Sequence, residues 1–453
     1  MRKYNVINTT LGWFMFIEAA VTYMLTLEPT ASFWDCGEFI SQGYKLEVGH
    51  PPGNPIFILA ARFMINFVGN DVTKVAWAVN AMSALLSAGT ILLLFWTITH
   101  LVRKIVVKDG EEGSMSLVQM LIIFGSGVCG SLVYTWSDTF WFSAVEAEVY
   151  AFSSFCTALV FWLILKWEDR ADEAHSDRYL ILIAYVIGVS IAVHLLNLLC
   201  IPAIVLVYYY KKFTNTSVIG SMVALLVSFV IIAFILYGLV PGFIEVGQWF
   251  ELLFVNTFGA SFNTGVLAYA ILDVAVFSWC IYELYKQKSA TRIKISFFST
   301  ILFSGMLFIG DGVMIPLVLI AALVVYLWKF CKKIPVRWFT IIAMSIFVIF
   351  VGYSSYAVIL IRSNAQTPMD QNSPDNVFAL SSYLNREQYG DRPLLYGQTF
   401  SSSVVYQANE TGNFKPIVSE GKTLYAKEVK KNPNDPDKYR AIGKSKDYKM
   451  NPE

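Results

Sequence analysis

Asp35, Glu38, Glu47 and His50 fall within one loop, EPTASFWDCGEFISQGYKLEVGHPPGNP, residues 28–55. If the chain is helical there, the three-residue spacing of Asp35 and Glu38 puts both carboxylates on one face. Trp34, Phe33 and Phe39 surround them. Such a pair suits a general base beside an acidic partner that tunes it or binds a cation. The plainer role is a solvated helix cap, and which acid would be the base stays open. His50 precedes Pro51-Pro52-Gly53. Consecutive prolines fix the backbone and hold the residue before them extended. His50 then either lines a pocket or marks a loop-to-helix junction, with Pro52 or Pro55 opening the helix.

Further polar side chains stand at the ends of apolar stretches. Glu146 and Glu148, in TFWFSAVEAEVYAF, follow an aromatic belt of Trp136, Phe140, Trp141 and Phe142. They either end a helix in water or face the cavity of Asp35, to bind a sugar hydroxyl or a cation. His194 and Asn197, in VHLLNLL, are expected on one helical face, turned to the bundle interior. Glu18 and Asp273 are buried acids with no assigned chemistry. Arg362, and the interfacial Arg62, are cations at a membrane surface, able to meet a lipid phosphate or simply to snorkel. Asn372, Asp375, Asn376, Arg386, Glu387 and Tyr389 form a polar cluster behind the last apolar span.

The elements that position these groups are apolar spans. Only 15% of the residues are charged, where a soluble chain carries about 25%, so the chain reads as a polytopic membrane protein. Its fold class is all-α, with about eleven transmembrane helices of ~20 residues each. They fall near 9–27, 76–102, 117–135, 149–165, 179–194, 196–210, 217–240, 265–284, 295–310, 312–330 and 338–361, with His194–Asn197 as the turn of the fifth and sixth. The first is read as a retained signal-anchor helix, because no cleavage site follows it. Residues 54–69 are expected as a helix lying along the membrane.

Lys and Arg cluster on alternate loops: Arg2 and Lys3, Arg103 to Lys108, Lys166 to Arg178, Lys211 and Lys212, Lys286 to Lys294, and Lys329 to Arg337. The opposite loops before residue 362 hold only Lys45, Arg62 and Lys74. This bias places the N-terminus inside and the acidic loop outside, in the periplasm of a bacterium. Two domains follow: 1–361, transmembrane, with the chemical loop at 28–75, and a soluble outside tail at 362–453, possibly cut from a longer protein. In the tail a helix is expected over Asn376–Asn385 and a strand over Pro393–Thr399. The charged stretch from Lys427 is expected to be loose.

Several function classes drop out. Basic residues do not line one face, which argues against nucleic-acid binding. The six cysteines show neither a disulfide framework nor metal-ligand spacing, so no metal site is assigned, although a divalent cation at the acids stays open. The tail has no nucleotide or hydrolase signature. An outward-facing enzyme without nucleotide sugars needs a membrane-borne activated donor.

The strings SFWDCGEFISQGYKLEVGHPPGNP, WFSAVEAEVYAF, VHLLNLL and SPDNVFALSSYLNREQYGDRPLLYG resemble the bacterial branch of the transmembrane protein 260 family, grouped with protein O-mannosyltransferases. The resemblance implies a C-type glycosyltransferase of the bacterial inner membrane. It would move a hexose, mannose foremost, from a polyprenyl-phosphate donor to Ser or Thr hydroxyls of an exported protein, with inversion and with no cofactor required. Matched by motif, Asp35 stands at the base, Glu38 at its acidic partner and His50 before the prolines. Beyond that match, His50, Trp34, Glu146, Glu148, Tyr150, His194, Asn197, Arg62 and Arg362 are expected to bind substrate. The family's mannosyltransferases proper have the acids adjacent, whereas Cys36 and Gly37 separate them here. The alternative function is a transporter or flippase for a lipid-linked sugar or other solute, supported by Glu18 and Asp273.

Overall fold

The computed structural model of the protein describes residues 2–69, 71–107, 115–310, 312–390, 397–408 and 413–451. Its helices are, in chain order, α1 (Arg2–Leu25), α2 (Cys36–Lys45), α3 (Pro55–Ile65), α4 (Val75–Val106), α5 (Leu117–Thr135) and α6 (Asp138–Ala144). There follow α7 (Val149–Arg170), α8 (Asp177–Ile191), α9 (Ile201–Lys212), α10 (Val218–Ala233), α11 (Val240–Leu252) and α12 (Thr264–Lys286). The last are α13 (Ala290–Phe303), α14 (Met314–Val325), α15 (Val336–Tyr353), α16 (Ala357–Asn364) and α17 (Val377–Leu384). Four strands close the described chain: β1 (Tyr406–Ala408), β2 (Phe414–Pro416), β3 (Val418–Lys427) and β4 (Tyr439–Tyr448).

Among the described residues, seven helical stretches are long and apolar enough to cross a bilayer: Val72–Val106, Leu117–Thr135, Val149–Arg170, Leu195–Lys212, Val218–Thr257, Thr264–Lys286 and Val336–Asn364. The protein is an all-α polytopic membrane protein. The spans expected near 179–194, 295–310 and 312–330 are helical as well, in the shorter α8, α13 and α14. The expected 9–27 span is helical as far as Leu25, the end of the 24-residue α1, which is not one of those seven stretches. The span expected at 217–240 runs on to Thr257 through two π-helical segments, Phe234–Leu239 and Leu253–Thr257.

The chain forms two units, residues 1–233 with 335–371, and residues 234–334 with 372–453. In the first, α4 is the central mast, with α1, α5 and α7 packed along it. Small residues permit the close approach: a Cβ on Gly89 would lie 2.8 Å from the Phe155 ring. One apolar cluster joins Met15, Ala19 and Tyr23 of α1 to Ile91 and Phe95 of α4 and Phe140 of α6. A second joins Phe39 of α2 and Phe57 and Ala61 of α3 to Val79 and Met82 of α4. That second cluster is the floor on which the acidic loop stands. The 54–69 segment is helical as expected, as α3 and a 3-10 turn at Asn66–Val68. α15 packs on α8, where Gly188 and Gly352 let the two backbones meet.

In the second unit, the buried Glu251 carboxylate accepts hydrogen bonds from the backbone of Asn263 (2.5 Å), Gly265 (2.9 Å) and Val266 (3.1 Å), and from the Tyr439 hydroxyl (3.0 Å). It thereby supplies the partners that the first amides of α12 lack within their own helix. The tail helix appears as expected, as α17, with the Asn376 side chain capping Phe378 and Ala379. The rest of the polar cluster is structural: Lys427 pairs with Asp375 at 2.7 Å, Ser382 donates to Glu387 at 2.6 Å, and Arg386 lies over Tyr389. The expected strand at 393–399 falls largely outside the described residues, and residues 397–399 form none.

One expectation is overturned. The charged stretch after Lys427 is not loose, because β4 pairs antiparallel with β3 from Val418↔Tyr448 to Lys427↔Tyr439. Tyr439 is its anchor. Its ring is buried against Phe262 and Phe378, and its backbone exchanges hydrogen bonds with Asn256 at 2.8 and 2.9 Å.

Candidate functional site

Asp35 and Glu38 occupy the N-cap and third positions of α2, the spacing of a capping box. The box is not made. Asp35 has a helical backbone (φ −83°, ψ −1°), and its side chain makes no cap hydrogen bond. The carboxylate is left at the exposed start of the helix. Glu38 turns away, and its Oε1 accepts from Gln42 Nε2 (2.7 Å) and the His50 backbone N–H (2.7 Å), with His50 Nδ1 at 3.0 Å. The plainer reading, two acids capping a helix in water, therefore does not describe this loop.

Gly49 makes the approach possible. A Cβ there would overlap the Gln42 amide nitrogen and Glu38 Oε1. Burial pushes the Glu38 carboxyl up, but the hydrogen bonds from the His50 ring and backbone, with Gln42, outweigh it and hold the pKa below its ordinary value. The His50 ring also packs at 5.8 Å from Phe39. One oxygen each from Asp35 and Glu38 and a His50 ring nitrogen lie within 4.8 Å of one another, a spacing that three ligands of a divalent cation would need. A cation there would have to replace the Glu38–His50 hydrogen bond.

Glu148 stands on the other side of Cys36, at the N-cap of α7, and accepts from the Cys36 thiol at 3.7 Å. Burial first, then the negative charges of Asp35 and Glu146, push its carboxyl up to about 7. Glu146 is raised too, chiefly by burial. The same desolvation keeps the Cys36 thiol from ionising. Of the two expectations for these glutamates, ending a helix in water or facing the cavity of Asp35, Glu148 is buried and close enough to feel the charge of Asp35. Backbone bonds fix this corner: Glu28 N–H to the Val145 carbonyl (3.2 Å), and the Asn80 side chain of α4 to the carbonyls of Glu28 (2.7 Å) and Thr30 (3.0 Å).

The other expected residues divide. Trp34 adopts the left-handed backbone (φ 59°), rare for a bulky side chain, and is 87% exposed beside Asp35. Tyr150 and His194 stack edge to face at 5.4 Å. His194 and Asn197 do not share a helical face. α8 ends at Ile191, His194 is extended, and Asn197 lies in the 3-10 segment Leu195–Cys200, buried with neither amide atom partnered. Arg62 donates to the Tyr44 carbonyl (2.7 Å), and Arg362 to those of Leu46 (2.6 Å) and Lys45 (3.1 Å). Both cations thus satisfy carbonyls at the end of α2, where the helix dipole favours positive charge. Val48 pairs beside them with Asp370, through Val48 N–H to Met369 O (3.0 Å) and Gln371 N–H to Val48 O (3.1 Å).

Cys36, Gln42, Gly49 and Asn80 shape the site without having been singled out in the sequence. Only Gly49 carried a signal, as a glycine next to a histidine that two prolines hold rigid.

Residues 35–217 match the family model described as the N-terminal domain of protein O-mannosyl-transferase TMEM260. The chain is 22% identical over 165 residues to protein O-mannosyl-transferase tmem260 of Dictyostelium discoideum, covering 36% of this chain and 18% of that one. It is 26% identical over 177 residues to protein O-mannosyl-transferase TMEM260 of Mus musculus, covering 39% of this chain and 22% of that one. The matched stretches thus span about a fifth of these relatives' length. No solved structure matches the chain.

Proposed function

We propose that this chain, a member of the TMEM260-like family through its residues 35–217, is a membrane glycosyltransferase of the O-mannosyl-transferase kind. It moves a hexose, mannose foremost, from a polyprenyl-phosphate donor to a Ser or Thr hydroxyl of an exported protein, with inversion. Its membrane is the bacterial inner membrane, with the N-terminus cytoplasmic and the acidic loop periplasmic, as the distribution of Lys and Arg favours. The observation that carries the reading is an exposed carboxylate, Asp35, beside a fixed anion, Glu38, held by His50 and Gln42.

In this reading Asp35 takes the proton of the acceptor hydroxyl as its oxygen attacks the anomeric carbon. The bond from that carbon to the phosphate oxygen breaks, and the polyprenyl phosphate leaves with the electron pair. Glu38 acts through His50, keeping the ring in one orientation. Glu148, with a pKa near 7, relieves the negative charge that would otherwise gather around Asp35. Trp34 offers an exposed aromatic face to the incoming substrate. Arg62 and Arg362 fix the end of α2, so the loop keeps its place while substrates exchange.

The test is a transfer assay with short-chain polyprenyl-phosphate mannose and a Ser/Thr-rich peptide. Wild type should add one hexose to the peptide by mass, and Asp35→Asn should not. Transfer that survives in the variant refutes the assignment of the base.

A second reading, a transporter or flippase, draws on Asp273 of α12, which is 3% exposed with Oδ1 unpartnered. Counterflow of a labelled solute in proteoliposomes that needs Asp273 and is indifferent to Asp35 would favour it.

A further inference from the structure

A cavity of about 270 Å³ opens among α4, α5, α6 and α7. Its lining is uncharged and rich in hydroxyls, with Ser87, Thr139, Ser143 and Ser154 among them, and Tyr134 and Tyr150 at its exposed rim. Ser87 is fully buried on α4, and its hydroxyl has no hydrogen-bond partner. A buried polar group left unpaired calls for an explanation. Ser83 and Ser153 are equally buried and unpartnered, but they do not line the cavity. Ser87 differs because it is one of the residues that line the cavity.

We infer that this cavity receives the hexose ring of the lipid-linked donor. The inference rests on the glycosyltransferase reading and deepens it. Hydroxyl side chains both donate and accept, which matches the alternating needs of a sugar's own hydroxyls. Aromatic faces suit the apolar C–H faces of the ring. The absence of charge among the lining residues disfavours a phosphate, a carboxylate or an ammonium as the occupant. The volume holds about nine waters at ~30 Å³ each and falls just short of the ~300–1,000 Å³ of drug-sized sites, so it fits one sugar ring and not a peptide.

Position supports the assignment. Tyr150 lies two residues beyond Glu148 on α7. Ser87 lies seven residues along α4 from Asn80, which holds the backbone of Glu28 and Thr30, or roughly 10 Å at ~1.5 Å per residue. A sugar in the cavity thus sits further along α4 than Asn80, the anchor of the acidic loop.

The test compares two probes on the purified full chain in detergent, by calorimetry: short-chain polyprenyl-phosphate mannose and the same polyprenyl phosphate without sugar. Wild type should bind the mannosyl form more tightly. Ser87→Ala and Ser154→Ala should each weaken that form about five- to tenfold and leave the bare phosphate unchanged. Equal weakening of both probes, or none, overturns the sugar assignment while the donor class stands. Wild type that binds neither probe overturns the donor class, and the sugar site falls with it. Tyr150→Phe, at the rim, guards against misfolding in the buried variants: it too should weaken the mannosyl probe alone.

Discussion

Glu38 and Glu148 are two glutamates shielded from solvent in the same corner as Asp35, and their pKa values are pushed in opposite directions. Glu38 is surrounded by donors, the His50 backbone and ring and the Gln42 amide, and its pKa is lowered. Glu148 is surrounded by burial, two other acids and a thiol, and its pKa rises to about 7. The difference shows that charge here is set by which neighbours the loop brings in, not by depth. Of the two acids that act on Asp35, Glu38 favours its ionised form and Glu148 is able to carry a proton at neutral pH.

The largest expected effect comes from Asp35 itself. Asp35→Asn should cut hexose transfer by about 10²–10⁴, the usual contribution of a general base, with donor binding kept. Mass-spectrometric transfer rates and donor calorimetry separate the two.

The two glutamates should respond to neutralisation with opposite signs. Glu148 has a raised pKa in the fold, so its contribution is fully present below about 4.5 and lost as the pH climbs through about 7. Glu148→Gln should therefore spare the protein a loss of roughly 3 kcal/mol between about pH 4 and about pH 8. Glu38 has a lowered pKa, so its contribution is present above its unfolded value and lost as the pH falls through the folded one. Glu38→Gln should cost ~1–3 kcal/mol near neutral pH, with the gap to wild type closing in acid. Thermal unfolding in detergent across that range checks both, and equal signs would dissolve the contrast.

Gly49→Ala should separate the Glu38 half of the comparison from its scaffold. A methyl group forced against Gln42 and Glu38 should cost ~1–3 kcal/mol and return the Glu38 pKa toward its ordinary value, which carboxyl-labelled NMR would read. Arg362→Ala should have the smallest effect, about 1 kcal/mol, from the carbonyls of Lys45 and Leu46 that it leaves to water. Recovery by Lys would be partial, because a point charge cannot span two carbonyls as a guanidinium does.

The parts legible in the sequence were those fixed over short range. Apolar runs gave the helices. The Asp35–Glu38 spacing, with the prolines after His50, marked a loop with unusual work to do. Partnerships over long range were not legible. Arg362 looked like a surface cation because nothing near it names carbonyls 316 residues away. The β3–β4 hairpin was hidden because its strands carry Lys, Glu and Asp, and the tyrosine that anchors it, Tyr439, finds its pocket against Glu251 and Asn256. His194 and Asn197 were misplaced because an apolar run cannot reveal where an α-helix gives way to a 3-10 turn.

The clasp on α2 has a consequence for biosynthesis. The acidic loop is made early, yet the segment that pins its far end, Arg362 and the strip from Met369 to Gln371, is made after more than three hundred further residues. A nascent chain emerging N-terminus first carries Asp35 and Glu38 long before α2 has its last restraint. Truncated chains released from the ribosome that end before Arg362 should hold the acids in a loose loop, and released chains ending just past Gln371 should hold them fixed. The acidic loop thereby receives its last restraint only after α15 and α16 have been made.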